Sequence, residues 1–243
     1  TARWISAEER NYLITRISAE EQEKKGGAPT SYKGLFSDAN LWRLTAFYFL
    51  FQVGDIGFMM WLPTILKGLT NQGMAMIGVL SSLPFFTAMA GLYLIAYLSD
   101  RSGRRKRYLA IPAICFALAF VLSAQTRDNA LLAYVFLLIC GFFHNAYNGV
   151  FWALPPKLFA SEVSGGARGF INGIGNLGGF VGPFLVGWVT SNFGSTEYGI
   201  YVLSGFLTLA FLTALTFPAH LVDDQPQSVR QLPARPYTKS LKP

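Results

Sequence analysis

The stretch Leu98-Ser99-Asp100-Arg101-Ser102-Gly103-Arg104-Arg105-Lys106-Arg107 decides how the rest of the chain is read. It sets five basic residues within the eight positions from Asp100 to Arg107. Met74–Leu98 lies before it and Tyr108–Ala124 after it, both without a charged residue. A short basic loop between two apolar runs of membrane-crossing length belongs at the cytoplasmic face by the positive-inside rule. Gly103 permits a tight turn there, and the arginines bring planar, fork-shaped donors. A nucleic-acid or nuclear-import patch would need a soluble surface around it, which these flanks do not offer.

The composition agrees with a membrane chain. Of 243 residues, 52% are hydrophobic and only 14% charged, where an ordinary soluble domain carries about a quarter. Six runs approach the roughly 20 residues needed to cross the bilayer: Leu44–Leu66, Met74–Leu98, Tyr108–Ala124, Leu131–Leu154, Phe170–Thr190 and Tyr198–Phe217. Six crossings put both ends on one side, and the basic loop makes that side cytoplasmic. Of the 20 Lys and Arg, only Lys67 and Arg127 fall outside, leaving 18 inside. The net charge of +7 is therefore topological rather than a nucleic-acid surface.

Three regions follow from this reading. Residues 1–40 form a polar cytoplasmic segment with a short amphipathic helix. Ser6 and Glu9 make its capping box, Tyr12, Leu13 and Ile17 its apolar side, and Gly26-Gly27-Ala28-Pro29 its end. Residues 41–218 form the six-helix bundle, and 219–243 a disordered cytoplasmic tail rich in Pro, Gln and Lys. Cys115 and Cys140 sit in apolar runs and read as small core residues, so no metal site is expected. Trp61-Leu62-Pro63 and Trp152-Ala153-Leu154-Pro155 close the first and fourth runs in a similar way.

Polar groups inside a bilayer need a reason. Tyr48, Gln52, Asp55 and Met59 recur at i, i+4, i+7 and i+11, which lines them along one helical face. Asp55 is the only acid in any of the six runs, and it reads either as a proton or cation site facing a wet cavity or as a structural acid bonded to a neighbouring helix. In the fourth run the same spacing aligns Gly141, Asn145, Asn148 and Trp152, a polar stripe beside an aromatic wall that suits a polar solute. His144 flanks that stripe and reads as a hydrogen-bonded packing residue. The fifth run gathers Gly175, Gly178, Gly179 and Gly182 on one face for close helix approach, with Asn172 and Asn176 beside them. It is not a nucleotide loop, because no strand precedes it and no Gly-Lys-Ser/Thr follows.

The Asp-Arg-x-Gly-Arg-Arg pattern at Asp100–Arg105 resembles the signature loop of the major facilitator superfamily, found between the second and third helices of each six-helix half. The family form opens with Gly four positions before Asp; this chain departs from it with Ala96, larger by one methyl group but still small enough for close helix approach. Phe58-Met59-Met60-Trp61-Leu62-Pro63-Thr64-Ile65, Phe151-Trp152-Ala153-Leu154-Pro155 and Asn172-Gly173-Ile174-Gly175-Asn176-Leu177-Gly178-Gly179-Phe180-Val181-Gly182-Pro183 are similar to its anion:cation symporter family.

The resemblance implies an all-α membrane protein whose six transmembrane helices are the carboxy-terminal half of that fold, a three-plus-three inverted repeat. It implies a multi-pass protein of the inner or plasma membrane that pairs with an amino-terminal six-helix half. Such a carrier takes up an organic anion (a sugar acid, dicarboxylate or aromatic acid) with protons by alternating access. The family's usual anion-binding arginine and proton-carrying acids would lie in the other half. Apart from the resemblance, the polar stripes themselves give Asn148, Trp152, Asn172, Gln52, Asn145 and Asn176 as the candidate substrate contacts of this half and Asp55 as a candidate proton-coupling site. Asp100, Arg101, Gly103, Arg104 and Arg105 would form a cytoplasmic gate against the other half. No cofactor and no catalytic residue is expected.

Two other functions compete. One is a transport-inactive six-helix piece or subunit that pairs with another membrane chain. The other is an intramembrane hydrolase using His144 with a serine such as Ser164, but no serine has the Gly-x-Ser-x-Gly context of a nucleophile elbow.

Overall fold

The computed structural model describes residues 9–15, 29–70 and 72–224. The expected cap at Ser6, Ile17, residues 26–28 of the linker and the tail beyond Asp224 lie outside them. Residues 9–15 are helical, with Tyr12 and Leu13 exposed.

Two side-chain caps open the bundle. Ser31 Oγ accepts the Gly34 N–H at 3.2 Å and starts α1 (Tyr32–Ser37). Asp38 Oδ1 accepts the Asn40 N–H at 2.7 Å at the head of α2 (Ala39–Thr70). Both satisfy donors that a helix start leaves without a partner. The chain continues through α3 (Met74–Ser102), α4 (Arg105–Gln125), α5 (Ala130–His144), α6 (Asn148–Trp152), α7 (Pro155–Leu158), α8 (Ser161–Phe193), α9 (Thr196–Leu215) and α10 (Ala219–Val222). The segments α5 to α7 make one interrupted crossing, so the described residues hold six membrane-length spans and no strand.

Several helices run past the ends expected from hydropathy. Pro63 lies inside α2 rather than closing it, and the helix continues to Thr70. Likewise α3 extends through Asp100 to Ser102, so much of the basic motif is its last turn. Gly103 then ends that helix at φ 67°, with its N–H on the Ser99 carbonyl at 2.9 Å. That left-handed conformation is the physical demand behind the motif's glycine.

In packing, α2 lies along α8 and α9, while α5 lies along α3 and α4. Exchanging the first three crossings for the last three maps one set of neighbours onto the other, as an inverted repeat requires. Lipid supplies no hydrophobic drive between helices, so close backbone contact at small residues holds these seams. A side-chain carbon at Gly182 of α8 would overlap the Val53 carbonyl of α2, and one at Gly91 of α3 the Phe142 carbonyl of α5.

Between the seams sits an aromatic core. Phe47 stacks on Phe151 at 5.6 Å, and Phe58 meets Phe116 and Phe120 edge-on at 5.3 Å. Cys140 is buried and Cys115 half-buried, both as free thiols. The least covered spans are α3 and α8. They expose Met89 and Tyr93 on one and Phe180, Phe184 and Trp188 on the other.

The start of the tail differs from the disordered segment expected from residue 219 onward. Ala219–Val222 form a helical turn with Val222 fully buried. Lys157 Nζ donates to the carbonyls of Val222 and Asp223 at 2.7 Å each, giving this polar stretch partners that composition does not reveal.

Candidate functional site in the interrupted fourth crossing

The fourth crossing loosens at Asn145-Ala146-Tyr147, between α5 and α6. Apolar α5 ends at His144, and Asn145, Asn148 and Gly149 that follow are poor helix formers. Bonds of the i to i+3 type replace the helical ladder: Ala146 N–H to Phe143 O at 3.3 Å and Asn148 N–H to Asn145 O at 3.1 Å. The aligned face expected for Gly141, Asn145, Asn148 and Trp152 needs an unbroken helix, and this interruption removes its register. Gly141 instead packs in the seam with α3, where an added carbon would lie 2.6 Å from the Pro84 carbonyl. Irregular backbone at membrane depth is tolerated where protein or a wet cavity surrounds it.

A chain of polar side chains runs from this break across α2 to α8. Tyr147 OH donates to Gln52 Oε1 at 3.3 Å, and Gln52 Nε2 donates to Asn176 Oδ1 at 3.2 Å. Asn176 Nδ2 donates to Asn172 Oδ1 at 2.9 Å, and Tyr48 OH reaches the same oxygen at 3.4 Å. The Trp152 ring meets Tyr48 edge-on at 5.3 Å. Asn148 Nδ2 donates to Asn145 Oδ1 at 3.1 Å, leaving Asn148 Oδ1 buried without a partner among the described residues. Gln52, Asn172 and Asn176 are thus joined directly, Trp152 meets them through Tyr48, and Asn145 and Asn148 form a separate pair at the break. Asn172 and Asn176 are exposed on α8, so the chain ends at an open face.

Beside this chain lies a buried pair. Asp55 Oδ1 and His144 Nδ1 stand 2.5 Å apart, with Asp55 3% and His144 2% exposed. The imidazole is bracketed by Phe58 and Phe85 at 6.2 and 6.1 Å, and its Nε2 has no partner among the described residues. His144 is hydrogen-bonded as expected, and its partner is Asp55, the one acid in the six apolar runs. Sequence reading leaves Tyr147 unmentioned. The available signal for the pair is general, since ionisable groups inside membranes tend to pair with one another.

The four glycines Gly175, Gly178, Gly179 and Gly182 all face α2, against Tyr48, Phe49, Ile56 and Val53 respectively. At the other end of the bundle, the basic loop is tied within its own half. Asp100 lies 3.3 Å from Arg105, Arg105 Nε donates to Asp224 Oδ2 at 3.1 Å, and Asp224 Oδ1 accepts from Lys157 at 2.9 Å. The Asp224 N–H closes on the Gly103 carbonyl at 2.8 Å. Asp100 keeps 70% of its side chain exposed, while Arg101 and Arg104 are exposed beside it.

Partial burial pushes the Asp224 carboxyl up, but the Lys157 hydrogen bond and the Arg105 and Lys157 charges outweigh it. They hold the group below the usual carboxylate range. A depressed acid stabilises the fold above its unfolded value, near 3.9, and that contribution is lost as pH falls through the lower folded value. Thermal unfolding in detergent should therefore show a fall in stability on acidification below about pH 4. Asp224→Asn should be less stable than wild type at neutral pH and show a flatter acid limb. Identical curves for the two proteins would mean that the tie contributes nothing.

Among the described residues no three His, Cys, Asp or Glu come together. The model described as Major Facilitator Superfamily matches residues 44–243, and the chain belongs to that superfamily. It is 30% identical over 88% of its length to a protein of Agrobacterium vitis provisionally named a tartrate transporter, covering 49% of that protein. It is 27% identical over 93% of its length to a quinolone resistance transporter of Acinetobacter baumannii, covering 52% of it. It is 26% identical over 88% of its length to the inner membrane transport protein RhmT of Escherichia coli K12, covering 49% of it. The chain spans about half the length of these curated relatives. The relatives are named as transporters, not enzymes, so the hydrolase reading lapses.

Proposed function

We propose that this chain is one six-helix half of a secondary carrier that moves a small organic anion together with protons by alternating access. The observation that carries the reading is the hydrogen-bonded series Tyr147–Gln52–Asn176–Asn172, which leads from the interrupted crossing to an open face beside the Asp55–His144 pair. Amides and phenols offer donors to carboxylate and hydroxyl oxygens, and Trp152 gives an apolar wall. Asp55 is the proton site, with His144 as its partner. The tartrate name of a relative supports the class of solute. The exposed apolar faces of α3 and α8 support a second six-helix half packed against them. The carrier lies in the cell membrane with both termini and the Asp100–Arg107 loop cytoplasmic. That loop gates the cytoplasmic side, braced by its ties to Asp223 and Asp224.

Tartrate uptake into vesicles containing the complete carrier tests this. An inward pH gradient should drive uptake and a protonophore should abolish it. Asn172→Ala should weaken apparent affinity roughly tenfold to a hundredfold, because a hydrogen bond to a charged ligand contributes about 1.5–3 kcal/mol. Unchanged affinity in both Asn172→Ala and Gln52→Ala would remove these residues from the site.

A further inference from the structure

Where α4 begins and α9 ends, the bundle opens a cavity of about 650 Å³ beside the basic loop. Arg104, Lys106 and Arg107 line it, followed one turn deeper by Ala110 and Ile111, with Leu215 from α9. Ile111 is 40% and Leu215 46% exposed, so an apolar strip leads from the cationic end into the hydrocarbon. The nearby acids are largely engaged. Asp223, the one acid lining the cavity, accepts the Lys106 backbone N–H at 2.8 Å. Asp224 is held by Arg105 and Lys157, and Asp100 by Arg105. Three cationic side chains therefore share the cavity with a single carboxylate.

Positive charge at a membrane edge with an apolar strip beneath it fits an anion that carries its own apolar tail. Basic pockets between transmembrane helices recognise phosphate headgroups in this way. We propose that the cavity binds an anionic phospholipid, its phosphate among Arg104, Lys106 and Arg107 and one acyl chain along Ile111 and Leu215. A soluble phosphate would use the cations and leave the strip unused, which separates the two sources of that charge. The proposal does not depend on what the carrier transports.

Native mass spectrometry of the full chain, released from non-ionic detergent, tests it. The chain is titrated with phosphatidylglycerol, with phosphatidylcholine of the same acyl chains, and with inorganic phosphate. Phosphatidylglycerol should bind at least about tenfold more tightly than either, since each cation near an anionic headgroup contributes about 1 kcal/mol, roughly a fivefold factor. The R104Q/R107Q variant should lose roughly thirtyfold in phosphatidylglycerol affinity. The R10Q/K33Q variant, which removes the same charge at exposed positions outside the cavity, should bind as wild type. Both variants should elute as wild type in size-exclusion chromatography, which keeps misfolding apart from loss of the site. If both pairs lose affinity equally, the attraction is general charge and the site is absent. Inorganic phosphate binding as tightly as the lipid, or no preference over phosphatidylcholine, would equally overturn the proposal.

Discussion

Gly182→Val should be among the most damaging single changes to stability in this chain, costing about 3 kcal/mol, the upper end of ordinary overpacking. The side chain would be driven into the Val53 carbonyl, with the Val53 carbon and the Gly57 nitrogen close behind. Backbone cannot rotate aside as a flexible side chain can, so α2 and α8 must separate. That separation also pulls Asn176 from Gln52 and Asn172 from Tyr48, the contacts that join the polar chain across the seam. The inverted repeat supplies a companion: Gly91→Val should do the same at the α3–α5 seam, against the Phe142 carbonyl. Gly205→Ala is the opposite case. Nothing lies within 4 Å of its added carbon, so relief of glycine's backbone entropy should stabilise α9 by about 0.5–1 kcal/mol. Thermal unfolding in detergent checks the series. A Gly182→Val protein as stable as wild type would dismiss close approach as the reason for the glycine run.

Those glycines were legible because a membrane helix has few reasons to carry four of them on one face. The six spans were legible for a similar reason, since hydropathy and length alone mark them, and Gly103 announced its turn by its place among charges. The missed features all depend on something periodicity cannot carry. An apolar run from Leu131 to Leu154 reads as one helix, and only the poor helix formers Asn145, Asn148 and Gly149 mark where its ladder is interrupted. Lys157 and the Asp223-Asp224 pair look like ordinary surface charge until the fold brings residues 65–67 positions apart into contact. Asp55 and His144 are 89 positions apart, and each on its own has a bland explanation. Together they do not.

Breaking that pair should be costly in a way that removing both members is not. His144→Leu leaves the Asp55 carboxyl 3% exposed with its closest partner gone, and loss of one partner of a buried ionisable pair destabilises by about 3–5 kcal/mol. Asp55→Leu strands His144 between Phe58 and Phe85 with both ring nitrogens short of a partner. The double variant, Asp55→Leu with His144→Leu, replaces both by apolar groups of comparable bulk, and such exchanges are often neutral or stabilising. Its unfolding temperature should therefore return close to that of wild type, well above either single variant. Uptake should follow a different course. If Asp55 carries the coupled proton as proposed, no apolar substitute can take its place, so pH-driven accumulation of the proposed organic anion in the complete carrier should be absent from both variants that lack Asp55. The well-folded double variant is the informative one, because instability cannot explain its silence. Normal pH-driven accumulation by that variant would make the pair a packing device and move the proton site elsewhere in the carrier. A double variant as unstable as the singles would show instead that the two groups do not act on stability as a pair.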